Sequence, residues 1–173
     1  MEDKIMHEWN KGKGKAYITA GTGQGKTPLA AFDFAELDAN ITATNAIPVT
    51  SFIPPTWEVQ MAGKELQEKT DKGRFIPMAF EYETSKLESV AAAVAVGIPE
   101  GDHAGIFMEY SEKGMGAKEL EERARKSVKE VFSFRNWKTK DILSKSVEER
   151  PKRNTYACSL VSILFFPDKT GED

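Results

Sequence analysis

Apolar residues recur at steps of three and four between positions 117 and 134, and this spacing predicts an amphipathic helix. A second helix is predicted over PLAAFDFAELDA, residues 28–39. Thr27 suits the N-cap of this second helix, Pro28 its first helical position and Asn40 its stop. In the longer helix the run KELEERARKSVKE forms a charged outer face, and the apolar stripe consists of Leu120, Ala124, Val128, Val131 and Phe132.

Alternating and β-branched apolar patterns predict strands in most of the remaining chain. The segment 88–98 is rich in alanine and fits a helix by propensity, but its valines alternate and Gly97 and Pro99 end it, so a strand is favoured. Residues 42–53 are extended but broken by Pro48, which is unsuited to a central strand. The predicted strands are 15–20, 75–84, 88–98, 104–111, 138–148 and 154–166.

Two stretches are predicted to lie outside this regular structure. Gly21–Gly25 is expected to form a turn between the first strand and the first helix. Residues 57–74 are polar and charged, and they are predicted to be a surface excursion with one helical turn at GKELQEK. Three strands then follow one another without helices between them, so the whole pattern predicts an α+β protein with two main helices.

Composition and charge narrow the class of protein. The 173 residues are 40% hydrophobic and 29% charged, which is typical of one globular domain. A net charge of -3 argues against nucleic acid or a membrane surface as a partner. The N-terminal run MEDKIMHEWNKGKGK has no apolar signal-peptide region, and no apolar run reaches the length of a membrane span. A cytoplasmic protein is therefore predicted.

Cysteine and histidine are too sparse to indicate a disulfide framework or a metal site. Cys158 is the only cysteine, and its apolar surroundings in YACSLVSILFF predict a buried thiol in a reducing compartment. His7 and His103 are the only histidines, and they lie far apart in sequence without other ligands nearby. Both are predicted to be solvated surface residues, and no metal is expected.

The run AGTGQGKT, Ala20–Thr27, fits a loose form of the P-loop pattern. In a P-loop, backbone N–H groups of a glycine turn, a helix N-terminus and a lysine surround phosphates, and Lys26 would be that lysine. The proline-broken segment after the helix and the three consecutive strands do not match the β-α alternation of such proteins. An ordinary glycine turn is therefore favoured, and nucleotide binding stays open as an alternative.

The run IPVTSFIPP places the Thr50-Ser51 pair between prolines. Pro48 restricts one backbone angle, and the Pro-Pro pair that follows favours extended geometry at Ile53. A serine held in a restrained turn can bring its Oγ against the preceding carbonyl. Composition alone predicts only a proline-rich loop that contains a hydroxyl pair.

Longer runs of sequence indicate a family. TPLAAFDFAELDANITATNAIPVTSFIPP, SVAAAVAVGIP, GIFMEYSEKG and the helix start AKELEERA occur in this order, from about residue 15 to 166. Together they resemble the pyruvoyl-dependent arginine decarboxylase family. The resemblance implies a four-layer αββα sandwich of mainly antiparallel sheets with two main helices. It also implies a homotrimer or a hexamer made of two trimers, with active sites between neighbouring subunits.

The resemblance implies a proenzyme that cuts itself between Thr50 and Ser51. In such a reaction the Ser51 Oγ attacks the Thr50 carbonyl to form an ester, β-elimination frees Thr50 as a new C-terminus, and residue 51 becomes a pyruvoyl group with loss of ammonia. The single domain, residues 1–173, would then consist of two pieces, 1–50 and 51–173. Asn45 matches the family's asparagine for self-cleavage, where it would polarise the carbonyl under attack.

The resemblance also implies which residues act on the substrate. The cofactor would be the pyruvoyl group derived from Ser51, and L-arginine would be converted to agmatine and CO2 for polyamine biosynthesis. Glu109 in FMEY matches the catalytic glutamate that reprotonates Cα, and Asp33 in AFDF matches the aspartate that faces the guanidinium. Without the resemblance, Glu109 would be interpreted as a strand-end carboxylate facing water and Asp33 as a solvated helix residue.

Three positions depart from the family pattern. Thr50 replaces a second serine, Pro48 stands at a position that is often charged, and Arg150 stands where the family tends to have a histidine. The first two changes are compatible with self-cleavage, whereas Arg150 bears on the assembly contacts. Two other hypotheses stay open at this stage: a P-loop nucleotide-binding protein, and a non-processing relative that binds a ligand or partner without catalysis.

Overall fold

The computed structural model describes residues 12–168, and within them the chain forms nine strands and three helices. In chain order these are β1 (Gly14–Gly25), α1 (Pro28–Asp38), β2 (Thr44–Pro48), β3 (Phe52–Ile53), β4 (Trp57–Met61), α2 (Leu66–Lys69), β5 (Arg74–Ser85), β6 (Val90–Pro99), β7 (Gly105–Lys113), α3 (Ala117–Phe134), β8 (Thr139–Glu149) and β9 (Tyr156–Pro167).

Two sheets pack face to face, and a helix covers the outer face of each. The first sheet has the strand order β2-β5-β9-β1-β4, and the second has the order β3-β7-β6-β8. Most neighbouring strands are antiparallel, while β4 pairs with β1 and β2 pairs with β5 in parallel. Helix α1 lies on the first sheet and α3 on the second. The predicted αββα sandwich is confirmed, with the short helix α2 in addition.

Three apolar layers hold the sandwich together. Helix α1 buries Ala31 and Ala35 against the first sheet. Helix α3 spans the predicted residues 117–134 and buries four residues of its predicted stripe: Leu120, Ala124, Val128 and Phe132. The central layer, between the sheets, is built mainly from alternate residues of β1, β6 and β9: Ala16, Ile18, Ala20, Ala92, Val94, Val96, Val161, Ile163 and Phe165, together with Phe107 of β7.

The alanine-rich segment is a strand, as predicted. β6 lies in the middle of the second sheet between β7 and β8. Both of its faces are covered, because Ala92 packs in the central layer while Ala93 packs beneath α3. Small residues are required because α3 approaches the strand closely, and a methyl group on Gly97 would collide with the side chain of Val128.

The predicted turn at Gly21–Gly25 is wrong. β1 continues through these glycines and pairs with β9 as far as Gly25, which lies opposite Tyr156. Helix α1 crosses this part of the strand so closely that a methyl group on Gly23 would collide with the backbone carbonyl of Ala31. The glycines therefore permit the helix to approach the strand, and this tertiary requirement is not visible in a local pattern of glycines.

The start and the end of α1 agree with the predictions. The Thr27 Oγ1 accepts a hydrogen bond from the N–H of Ala30 at 3.1 Å, and Pro28 is the first helical residue. The chain leaves the helix at Asn40, whose φ of +63° is a left-handed conformation that asparagine tolerates better than most residues. Capping chemistry alone was sufficient to place both ends.

The segment 57–74 contains a strand that the sequence pattern did not reveal. β4 forms the edge of the first sheet and pairs with β1 in parallel. Trp57, at its start, is 7% exposed and packs into the central layer. The predicted single helical turn is confirmed as α2. A five-residue edge strand gives little alternation to recognise, and its partner lies more than forty positions earlier in the chain.

Cys158 is buried in β9, as predicted, and faces α1. Burial raises the pKa of its thiol to about 12, and the charges of Glu36 and Glu83 act in the same direction. A thiol with so high a pKa is a poor nucleophile, so Cys158 serves as a packing residue.

His103 is exposed, as predicted, and its ring stacks on Trp137 with the centroids 4.7 Å apart. His7 lies outside the described residues. Within residues 12–168, no group of three or more His, Cys, Asp or Glu side chains is placed to hold a metal ion. None of the helices in the same range is both long and apolar enough to span a membrane.

Candidate active site

The segment between β2 and β3 carries the chain from one sheet to the other. β2 pairs with β5 in the first sheet, and β3 pairs with β7 in the second. Between them, the N–H of Val49 donates to the carbonyl of Met78 at 3.2 Å, and the N–H of Phe107 donates to the carbonyl of Ser51 at 3.1 Å. Thr50 and Ser51 are thereby held at the crossing between the two sheets.

Ser51 has a φ of +36°, which lies in the left-handed region that residues with a side chain rarely adopt. The N–H of Phe52 donates to the carbonyl of Thr50 at 2.6 Å and closes a three-residue turn around Ser51. This hydrogen bond draws electron density from the carbonyl that precedes Ser51. The Thr50-Ser51 pair thus combines a strained backbone with a polarised carbonyl.

The strand register brings Glu109 close to Ser51. Phe52 lies opposite Ile106 in the β3–β7 pair, and the carbonyl of Ser51 accepts a hydrogen bond from Phe107. Glu109 follows Phe107 by two residues, so their side chains share one face of β7, about 7 Å apart along the strand. Because Phe107 belongs to the central apolar layer, this is the face that looks toward the first sheet.

The carboxyl group of Glu109 borders a narrow, largely apolar crevice between the sheets. Burial raises the pKa of Glu109 to about 6, and the nearby charge of Glu81 acts in the same direction. A carboxylic acid with such a pKa keeps its proton closer to neutral pH than an ordinary glutamic acid does, which suits a proton donor. The other residues around the crevice are Ala79, Phe80, Val94, Phe107, Val161, Ser162 and Ile163.

Asn45 lies away from the Thr50-Ser51 turn. It is exposed on β2, opposite Phe75, and its Nδ2 donates to the carbonyl of Gly73 at 2.7 Å. Five residues of extended chain between Asn45 and Thr50 correspond to about 16 Å. In this arrangement the amide of Asn45 is engaged elsewhere, and the structure does not bring it to the carbonyl of Thr50.

Asp33 lies on α1, exposed, on the outer side of the first sheet. Glu36 follows one helical turn later, and its pKa is raised to about 7, first by burial and then by the charge of Asp33. The two carboxyl groups favour a cation near this part of the helix. Glu109, by contrast, lies between the sheets, so the first sheet separates Asp33 from Glu109 within one chain.

Sequence reasoning missed three residues of this region: Glu81, Ser111 and Glu36. Glu81 accepts a hydrogen bond from the Oγ of Ser111 at 2.7 Å, across the space between β5 and β7. Glu36 was missed because its helix carries no clear polar stripe to place it. The alternation in FEYE could have identified Glu81 as an inward-facing acid, since Ala79 two residues earlier is an obvious core residue.

The stretch Ala20–Thr27 does not support nucleotide binding. Its glycines belong to β1 and are paired with β9, so they form no loop around a phosphate. Lys26 is exposed at the junction between β1 and α1. The close contact of Gly23 with α1 explains the glycine pattern instead.

Comparison with known proteins gives a consistent result. The family model described as Pyruvoyl-dependent arginine decarboxylase (PvlArgDC) matches residues 15–170. A protein of that name from Methanococcus aeolicus is 37% identical over 153 residues, which cover 86% of this chain and 89% of the relative. The namesake from Methanococcus vannielii is 38% identical over 135 residues, covering 76% and 79%. The namesake from Pyrococcus furiosus is 33% identical over 156 residues, covering 88% and 95%.

Proposed function

The chain belongs to the pyruvoyl-dependent arginine decarboxylase family, and on this premise we propose that it cuts itself between Thr50 and Ser51 and then converts L-arginine to agmatine and CO2. The observation that carries this proposal is the turn at Ser51. Its positive φ and its polarised preceding carbonyl lie next to a half-buried glutamic acid, Glu109. The strained turn and its polarised carbonyl would serve self-cleavage, and the acid would serve decarboxylation.

Self-cleavage begins with the Ser51 Oγ adding to the Thr50 carbonyl carbon, and the peptide C–N bond breaks to leave an ester. The Phe52 N–H stabilises the developing negative charge on the Thr50 oxygen. Loss of the Ser51 Cα proton then expels the Thr50 carboxylate, and water replaces the nitrogen, which leaves as ammonia. One domain, residues 1–173, thereby becomes the pieces 1–50 and 51–173. The role of Asn45 in this step stays a prediction, because its Nδ2 donates a hydrogen bond to the carbonyl of Gly73 and not to that of Thr50.

The backbone conformation and hydrogen bonding of residue 51 fit a pyruvoyl group. Cleavage relieves the left-handed strain at Ser51, while the hydrogen bond from the Phe107 N–H to the Ser51 carbonyl does not involve the bond that breaks. That hydrogen bond would keep the new N-terminus beside β7. The group would supply a ketone that accepts electrons as CO2 leaves.

Glu109 donates the proton that the substrate Cα needs after loss of CO2. It lies on the inner face of β7, two residues after Phe107, whose N–H donates to the carbonyl of Ser51. Its pKa of about 6 means that the acid form is lost as the pH rises through that value. The apolar crevice beside it excludes water that would otherwise compete as a proton source.

In this proposal, the Asp33 that binds the substrate guanidinium belongs to a neighbouring chain. Asp33 and Glu109 of one chain lie on opposite faces of the first sheet, so a site with both requires two chains. Packing of α1 against another chain is supported by its exposed apolar side chains, Leu29 (77%), Phe34 (48%) and Leu37 (45%). A homotrimer, or a hexamer of two trimers, provides such contacts. A cytoplasmic location belongs to the same proposal and is supported by the free thiol of Cys158.

Intact-mass measurement of the purified protein tests the proposal. We expect two fragments, residues 1–50 and 51–173, in place of the 19.2 kDa chain. Their combined mass should be lower, by one ammonia, than plain hydrolysis would leave. Ser51→Ala should stay intact because it lacks the attacking oxygen, and Thr50→Ser should cleave because it keeps the attacked carbonyl. A wild-type chain that stays whole after long incubation would favour a non-processing relative.

A further inference from the structure

A row of polar contacts crosses the space between β5 and β7 next to Glu109. The Oγ of Ser111 donates to a Glu81 oxygen at 2.7 Å and also lies 3.2 Å from the carbonyl of Tyr82. One step further along, Lys113 pairs with Glu83 at 3.5 Å. On the other side of Glu109 the inter-sheet space is apolar, so Glu109 stands where the polar row ends.

Glu81 is the ionisable neighbour closest to Glu109 in this row. Glu109 and Ser111 share the inner face of β7, two residues apart, and Ser111 holds the Glu81 carboxyl group. Two other charged residues lie near this row, one on the facing strand β5 and one on β8 of the same sheet as Glu109. Glu83 lies two residues beyond Glu81 and is paired with Lys113, and Lys145 of β8 lies opposite Val94, on the far side of β6 from Glu109.

We propose that Glu81, held by the Ser111 hydroxyl, is a positioning residue that keeps Glu109 protonated for its role as proton donor. This inference rests on the function proposed above. The hydrogen bond from Ser111 holds the Glu81 carboxyl group beside Glu109, and two negative charges next to each other would be unfavourable in the poorly solvated crevice. The charge of Glu81 therefore favours the protonated form of Glu109.

The electrostatics agree with this geometry. Burial is the larger cause of the raised pKa of Glu109, and the charge of Glu81 is the second. Removing that charge should lower the pKa of Glu109, so that the proton is lost at a lower pH. Glu81→Gln is the appropriate change, because its side-chain oxygen still accepts the hydrogen bond from Ser111 while the charge is gone.

Two measurements test the inference. The first is the titration of the Glu109 side-chain carboxyl carbon by ¹³C NMR, assigned by its disappearance in Glu109→Gln. We expect the midpoint in Glu81→Gln to fall by about one pH unit, and that in Ser111→Ala by less. Glu83→Gln, which removes a charge already paired with Lys113, is the matched control and should leave the midpoint in place.

The second measurement is the pH profile of arginine decarboxylation. At a pH above the midpoint, Glu81→Gln should turn over about tenfold more slowly than wild type, and below both midpoints the two should agree. An unchanged Glu109 midpoint in Glu81→Gln would overturn the inference, as would an equal fall in Glu83→Gln. The NMR titration needs no turnover, so a protein that fails to decarboxylate arginine would refute the proposed function and leave the role of Glu81 to be decided independently.

Discussion

Two flanking hydrogen bonds explain how a residue with a side chain is held at the φ of +36° observed at Ser51. Val49 is bonded to the first sheet and the Ser51 carbonyl to the second, so the chain between them has little freedom to relax. A non-glycine residue in such a conformation costs about 1–3 kcal/mol. In the proposed self-cleavage, cutting the Thr50-Ser51 bond would release this strain and so favour the cleaved state.

At the same scale, Glu109→Gln should separate the two proposed reactions. The variant keeps the shape of the side chain and loses its acidic proton, so we expect full self-cleavage but decarboxylation lower by about 10²–10⁴-fold. Gel analysis and agmatine yield can be measured on one sample. Glu112→Gln, on the opposite face of β7 and paired with Arg123 at 3.3 Å, is the control. Wild-type turnover in Glu109→Gln would remove it as the donor.

The packing of α1 against β1 determines where Asp33 lies. Alternate glycines on the strand let the helix backbone approach within contact distance, and the buried alanines Ala31 and Ala35 make the same approach possible from the helix side. Backbone contact therefore sets the close approach of α1 to β1, while Phe32 of the helix packs against Phe80 and Tyr82 of β5. Any group added at this contact moves the whole helix, together with its acidic residues.

Gly23→Ala tests this contact between the two elements. The added methyl group would collide with the Ala31 carbonyl, so we expect the free energy of unfolding to fall by about 1–3 kcal/mol in chemical denaturation. Gly116→Ala is the control, because its added methyl group would meet only the Glu148 side chain at 3.8 Å. Because Gly116 is the N-cap of α3, where alanine is less favourable than glycine, its unfolding free energy should fall by no more than about 1 kcal/mol, and by less than in Gly23→Ala. A neutral Gly23→Ala would contradict the close approach.

At the scale of the whole molecule, the first sheet separates the candidate substrate-binding residue from the candidate catalytic residues. Asp33 is reached from the α1 side, whereas Ser51 and Glu109 are reached from the space between the sheets. The two sets therefore lie on opposite sides of the first sheet within one chain. Oligomerisation is thus part of the proposed catalytic site.

Mixed oligomers of two defective variants test this shared site. Asp33→Asn should bind arginine less tightly by the loss of a charge-assisted pair, about 1.5–3 kcal/mol, and Ser51→Ala should be inactive. In a random mixture, about a quarter of the sites would combine Ser51 and Glu109 of the first variant with Asp33 of the second. We therefore expect agmatine production at low arginine to recover in mixed oligomers verified by mass spectrometry.

The control mixture combines Ser51→Ala with Glu109→Gln. Both changes affect the same half of the proposed site, so no pairing of these two chains restores both residues. Activity in this mixture would contradict the assignment, and absence of recovery in the Asp33→Asn mixture would mean that one chain holds the complete site.

The sequence by itself determined the elements whose signals are local. The stripe of α3 repeats from Leu120 to Phe132, over more than three turns, and the Thr27-Pro28 pair and Asn40 mark the ends of α1, because capping and periodicity act between residues a few positions apart. Cys158 was correctly placed in the core for the same reason, since its strand is apolar throughout. Family resemblance supplied the candidate site residues, which local chemistry alone would not have distinguished from ordinary surface carboxylates.

Only the tertiary structure decided the features that depend on partners distant in the chain. The glycines of β1 belong to a strand because α1 packs against them, and residues 57–61 form the strand β4 because they pair with β1. The left-handed turn at Ser51 and its closeness to Glu109 arise where two sheets meet, and Glu81 acquires its role from a strand thirty residues away. Such contacts leave little trace in a local pattern, because the residues that impose them are neighbours in space and not in sequence.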